Sequence, residues 1–291
     1  MLKKTGLAIL KSAAFVVILA LLASVVIVPL GMLSGPAFSR TINFRLIGDG
    51  SLALATLIAL VLMALFVDKR RIRSIGVTSS RFVDLLTGSI LGAAILLLPI
   101  GVLLAMGAAR YAPSLGGFSA GGLALALVAC LINVIAQELL FRSYIFQDLW
   151  AKFGALAATV VTTILFVAAH WNAITDGTAG LVAAANIFLA SLLLSLAYVR
   201  TGQLWLPIGI HLGWNGLQGP VLGINVTGND LAFGHWSVFS FPGDALWTGG
   251  DMGVEGGLAG LIGPAIGIAV VAFAFKQQPK PDFSRVESAT K

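Results

Sequence analysis

Apolar runs long enough to cross a bilayer recur along the whole chain, and that recurrence fixes its solvent before any motif is read. Hydrophobic residues make up 58% of the 291 residues and charged ones only 10%, with 34 glycines besides. Soluble domains carry about 25% charge, so a soluble globular domain, a coiled coil and a disordered tail are excluded. Within hydrocarbon each segment must pair its own backbone, and the runs lack the two-residue alternation of a barrel strand. The segments therefore read as α-helices. The expected fold class is an all-α polytopic membrane protein with about eight transmembrane helices enclosing an intramembrane polar cavity.

The eight segments are about Ser12–Leu33, Ser51–Val67, Leu85–Ala108, Gly121–Leu149, Phe153–Ala169, Gly180–Val199, Leu204–Gly223 and Gly256–Phe275. Residues 1–276 form one helical domain in this reading, with a core at 121–223. A tail over 277–291, marked by Pro279 and Pro281, is expected to be disordered and cytoplasmic. The first run exceeds the ~7–15 residues of a signal-peptide core and is read as a retained span.

Basic residues collect on one side. With the N-terminus inside, Lys3, Lys4, Lys11, Lys69, Arg70, Arg71, Arg73, Arg81, Lys152, Arg200, Lys276, Lys280, Arg285 and Lys291 fall in cytoplasmic segments. Only Arg40, Arg45 and Arg110 fall in outer loops. That asymmetry predicts both termini in the cytoplasm of a cell (inner or plasma) membrane. It also accounts for the net charge of +6 without nucleic acid as a partner. The single cysteine, Cys130, excludes an intramolecular disulfide. The segment 224–255 has no Lys or Arg, and reads as a re-entrant or surface-lying outer loop. His235 and Asp176 read as loop residues, and Trp and Tyr near span ends as an interfacial belt.

An ionisable residue inside a membrane helix is costly and marks a functional candidate. Three clusters qualify: Gln137, Glu138 and Arg142 in the fourth helix, His170 ending the fifth, and His211 with Asn215 in the seventh. No other ionisable residue is expected deep in a span. Glu138 and Arg142 are four apart and share a face, as do His211 and Asn215. Gln137 lies ~100° round the helix from Glu138 and must face elsewhere. Gln137 and His170 are each ~24 Å from a turn near Lys152–Gly154, which sets them level in an antiparallel hairpin. A structural ion pair between Glu138 and Arg142, and packing histidines, are the plain alternatives.

These clusters, in this order, resemble the CAAX prenyl endopeptidase family in its broad sense, including the bacterial CAAX-protease and bacteriocin-processing (CPBP) proteins. The family pattern is Glu-Glu-x-x-x-Arg, Phe-x-x-x-His and His-x-x-x-Asn; here stand Gln137-Glu138 with Arg142, Phe166 with His170, and His211 with Asn215. The stretch Gly202-Gln203-Leu204-Trp205-Leu206-Pro207-Ile208 also resembles the family's approach to its third motif.

The resemblance implies an intramembrane endopeptidase acting on a membrane-associated peptide or protein. It implies that His170 orients or deprotonates water, that His211 and Asn215 form the oxyanion hole, and that Glu138 and Arg142 brace the site. Gln137 replaces the family's first glutamate, and a carboxamide cannot take a proton from water at neutral pH. Three readings are open: His170 acts alone as base, Glu138 takes over, or the chain is a catalytically weakened or inactive member acting as a membrane binding or immunity protein. No cofactor is expected. A zinc site from the two histidines and Glu138 is the alternative, opposed by the absence of His-Glu-x-x-His and by the charge of Arg142.

Overall fold

A computed structural model of the chain describes residues 2–35, 38, 42–70, 75–77, 81–174, 177–229 and 236–278. His235, Asp176 and the tail beyond Gln278 lie outside the described residues. Gln278 itself is tied back to the bundle, its N–H donating to the Arg200 carbonyl at 2.8 Å.

Each expected apolar segment falls on a helix. They are α1 (Leu2–Leu33), α2 (Ile42–Leu62, prolonged by a π-helical turn Met63–Val67), α3 (Val83–Ala105) and α4 (Ala120–Arg142). Then come α5 (Tyr144–Phe153), α6 (Ala155–Ala169), α7 (Gly177–Thr201) and α8 (Trp205–Gly216, prolonged by a π-helical turn Leu217–Val221). A short α9 (Ala245–Thr248) and three 3-10 turns lead into α10 (Ile262–Ala274).

Among the described residues, five helical stretches are long and apolar enough to cross a membrane: Leu10–Leu33, Asn43–Val67, Val83–Ala105, Ala120–Phe153 and Thr178–Thr201. Ala155–Ala169 and Leu258–Ala274 are apolar but shorter. Large apolar side chains face outward on these helices, with Val25 70%, Ile90 72% and Phe273 91% exposed, as acyl chains but not water would favour.

Three boundaries differ from expectation, each for a local reason. Helix α2 starts at Ile42, well before Ser51, so Arg45 and Asp49 stand within it. The fourth segment breaks at Ser143 (φ −98°, ψ −105°), and α5 turns aside to pack on α6 and α1. Gly154, at φ 90°, supplies the left-handed residue that reverses the chain into α6. Beyond the spans, β1 (Arg110–Ser114) pairs antiparallel with β2 (Ser237–Ser240), Tyr111 opposite Phe239. The outer segment packs down on the bundle, with Ile224, Val226, Trp236 and Val254 buried. Several aromatics near span ends belong to the core, not to an interfacial belt: Tyr144, Trp150, Tyr198 and Trp214 are buried.

Two features lock the helices. The first is a crossing of α3 and α8 lined by glycine: Gly88 and Gly92 on one helix meet Gly209 and Gly213 on the other, and a Cβ at any of them would overlap the opposing backbone. Lipid gives apolar helices no hydrophobic reason to associate, so close backbone approach supplies the packing. This crossing sets the height of α8 and therefore of His211 and Asn215.

The second is a polar clasp at the basic end. Lys11 and Arg70 both pair with Asp68, Arg70 reaches Gln147 Oε1 at 3.3 Å, and Gln147 Nε2 donates to the Tyr198 hydroxyl at 2.8 Å. It ties α1, the end of α2, α5 and α7 together.

Gly213→Ala should cost about 1–3 kcal/mol by overpacking, read as a lowered midpoint of unfolding in detergent. Gly101→Ala, with open space around it, is the neutral control. Burial by itself would raise the Asp68 pKa, but the Lys11 hydrogen bond, Arg70 and Tyr144 outweigh it and hold the carboxyl below its ordinary value of 3.8. Its contribution is therefore full above pH 3.8 and is lost as pH falls through the lower folded-state value. The stability gap between the native chain and Asp68→Asn should be constant toward neutrality and shrink only in acid.

Candidate active site

Glu138, on the last turns of α4, has no exposed surface and holds two partners on one oxygen. Its Oε1 accepts from Arg142 at 3.3 Å, one turn on, and from His211 Nδ1 at 2.8 Å on α8. Arg142 is equally buried and extends to α7, donating to Ser191 Oγ at 2.8 Å and to the Ser191 carbonyl at 3.3 Å. Its guanidinium lies 4.5 Å above the Phe166 ring of α6, a cation–π contact that strengthens away from water. One ion pair thus joins four helices.

Phe166 also places His170. Helix α6 ends at Ala169, and the His170 N–H turns to the Val167 carbonyl at 3.0 Å. That leaves the Phe166 carbonyl free for the His170 ring, whose Nδ1 sits 2.7 Å from it. A carbonyl only accepts, so Nδ1 carries the proton and Nε2 presents the lone pair. The ring leans on Phe166 with centroids 4.4 Å apart. The same logic applies at His211: the Glu138 carboxylate accepts from Nδ1, so Nε2 is the outward nitrogen, and it donates only when the ring is an imidazolium.

Gln137 faces away from Glu138. Its Nε2 donates to Asn133 Oδ1 at 2.7 Å, one turn back. Its Oε1 has no partner among the described residues.

Four of the six candidate residues, Gln137, His170, His211 and Asn215, line one cavity of about 540 Å³, while Glu138 and Arg142 stand behind its wall. The cavity lies toward the end of the bundle that carries the outer segment. Thr227, Asn229, Asp251 and Glu255 from that segment line it too.

Several wall residues were not anticipated. Arg45, expected in an outer loop, lines the cavity from α2 and donates to Asn229 Oδ1 at 2.9 Å. With Asp49 it overturns the expectation that no further ionisable group stands within a span; the signal available was its one-turn spacing from Asp49. Asn133 and Asn186, polar residues in apolar helices, were also legible and passed over. Glu255 carried no local signal, because only the return of the outer segment brings it here.

The donor set fits zinc poorly. Among the described residues no three of His, Cys, Asp and Glu converge on one point. Glu138 Oε1 is already shared by His211 and by a cation.

Fold and site together define a polytopic membrane protein with a polar cavity built from three helix motifs. Residues 119–217, roughly a third of the chain and spanning all three motifs, match the family model described as type II CAAX prenyl endopeptidase Rce1-like. That is the family the motifs resemble, and its family-level activity is CAAX-type intramembrane proteolysis. No curated protein and no solved structure matches the chain.

Arg142→Met leaves the Glu138 charge buried with His211 alone and should cost about 3–5 kcal/mol, measured by unfolding in detergent. Adding Glu138→Gln to that variant should recover part of the loss.

Proposed function

We propose that the chain is an intramembrane endopeptidase that hydrolyses a peptide bond in a membrane-associated peptide or protein, using water and no metal. The observation that carries this reading is the division of the six motif residues. Four groups able to handle water and an oxyanion open onto one cavity, and the ion pair that fixes them is outside it.

Gln137 Oε1 accepts a hydrogen bond from the water and so aims its oxygen, while His170 Nε2 takes one proton from it as general base. The water oxygen bonds to the carbonyl carbon and the carbonyl π pair moves onto its oxygen. Asn215 donates to that oxygen from its amide, and His211 joins it when Nε2 is protonated. Glu138 holds the His211 ring and balances its charge. The placement proposed is a cell (inner) membrane, with the Lys- and Arg-rich end and both termini in the cytoplasm; the asymmetry of basic residues, fourteen against two once Arg45 is placed in α2, supports it.

A second reading has one observation behind it. Gln137 cannot accept a proton, which suits a family member that keeps the fold as a binding or immunity protein.

The test is cleavage of a mixed peptide library, prenylated peptides included, by the purified protein in detergent. His170→Ala should lower kcat by about 10²–10⁴-fold with little change in KM, and a chelator should have no effect. An inert native chain that Gln137→Glu awakens would give the second reading the lead.

A further inference from the structure

Peptide hydrolysis needs a second proton transfer, to the departing amine nitrogen, and the three motifs leave its donor unassigned. Gln137 has no transferable proton, and Glu138 is engaged by Arg142 and His211 behind the wall. Among the described residues, the carboxyl groups that line the cavity are Asp251, which is exposed, and Glu255.

Glu255 is built into its place. It sits in the 3-10 turn Val254–Gly256, beyond the segment that matches the family. Its Oε1 accepts from the Trp214 indole Nε1 at 2.9 Å and its Oε2 from the Thr227 backbone N–H at 2.7 Å. Trp214 adjoins Asn215 in the chain, so the carboxyl is anchored to the residue before the oxyanion donor. Each oxygen keeps a second lone-pair position for a proton, and the part-buried side chain has its open surface on the cavity.

We propose that Glu255 is the general acid that protonates the leaving amine, a role that rests on the proteolytic reading above. In the first step His170 Nε2 takes a proton from water as the C–O bond forms. In the second, the oxyanion electrons re-form the carbonyl, the C–N bond breaks, and the nitrogen takes the proton of the Glu255 carboxyl. Glu255 is left as carboxylate and His170 as imidazolium; the one regains and the other releases a proton through cavity water. The net change is one water added across the amide.

Burial favours the protonated acid by raising the Glu255 pKa above its ordinary 4.5, against the bonds from Thr227 and Trp214 and the nearby His211. Among the described residues, the other titratable or charged groups lining the same space are His170 from α6, Arg45 from α2 and Asp251 from its own segment. Peptide hydrolysis should therefore fall as pH rises through the Glu255 value.

The discriminating experiment compares a peptide amide with the p-nitrophenyl ester of the same acyl segment, whose leaving group needs no proton. Both are assayed across pH with the native chain and with Glu255→Gln, which keeps the side-chain shape. Glu255→Gln should lower kcat for the amide by about 10²–10⁴-fold, leave KM and ester hydrolysis unchanged, and abolish the basic limb of the amide profile. Trp214→Phe, which removes one donor to the carboxylate, should move that limb to higher pH. Equal losses on amide and ester would make Glu255 a structural strut and overturn the proposal, as would no loss on either. A native chain that cleaves neither substrate, even as Gln137→Glu, would instead sink the proteolytic reading and the proposal with it.

Discussion

A carboxylate with no access to water is tolerable only when its charge is matched, and the packing of this protein is arranged around one such group. Glu138 takes Arg142 from its own helix and His211 from α8 on a single oxygen. Arg142 spends its remaining donors and its flat face on α7 and α6. Replacing such a pair by well-packed apolar residues is often neutral for stability. Its retention here is better understood as geometry: it sets the angle of one histidine directly and of the other through Phe166.

The same residues explain how the cavity stays polar beside lipid. The α3–α8 glycine contact lets two backbones meet without side chains between them, and that space is saved for groups on the other face of α8. His211 and Asn215, one turn apart, project from it into the cavity. The outer segment then covers this end of the bundle, and Glu255 fastens it to Trp214. Chemistry and closure therefore share one helix.

Much of this was legible along the chain. Apolar runs gave the long helices, because a backbone in hydrocarbon has no alternative partner, but not the short α9 of the outer segment. Rare polar residues inside apolar runs gave the six candidate positions, because an ionisable group is costly in hydrocarbon. The misplacements have physical causes as well. Arg45 and Asp49 sit in the opening turns of α2, whose polar residues hydropathy assigns to a loop, and the break at Ser143 lies within continuous hydrophobicity. Tyr144, Trp150 and Tyr198 were read as interfacial because an amphipathic ring suits both a membrane surface and a hydrogen-bonded core.

By itself the sequence determined the membrane, the helices and the residue types of the site, all of which depend on local composition and on the fixed pitch of a helix. Only the tertiary structure decided which face of each helix looks inward. It gave His211 its protonated nitrogen through Glu138, and drew Arg45 and Glu255 into the wall. Those outcomes depend on contacts between segments far apart in the chain, where spacing carries no information.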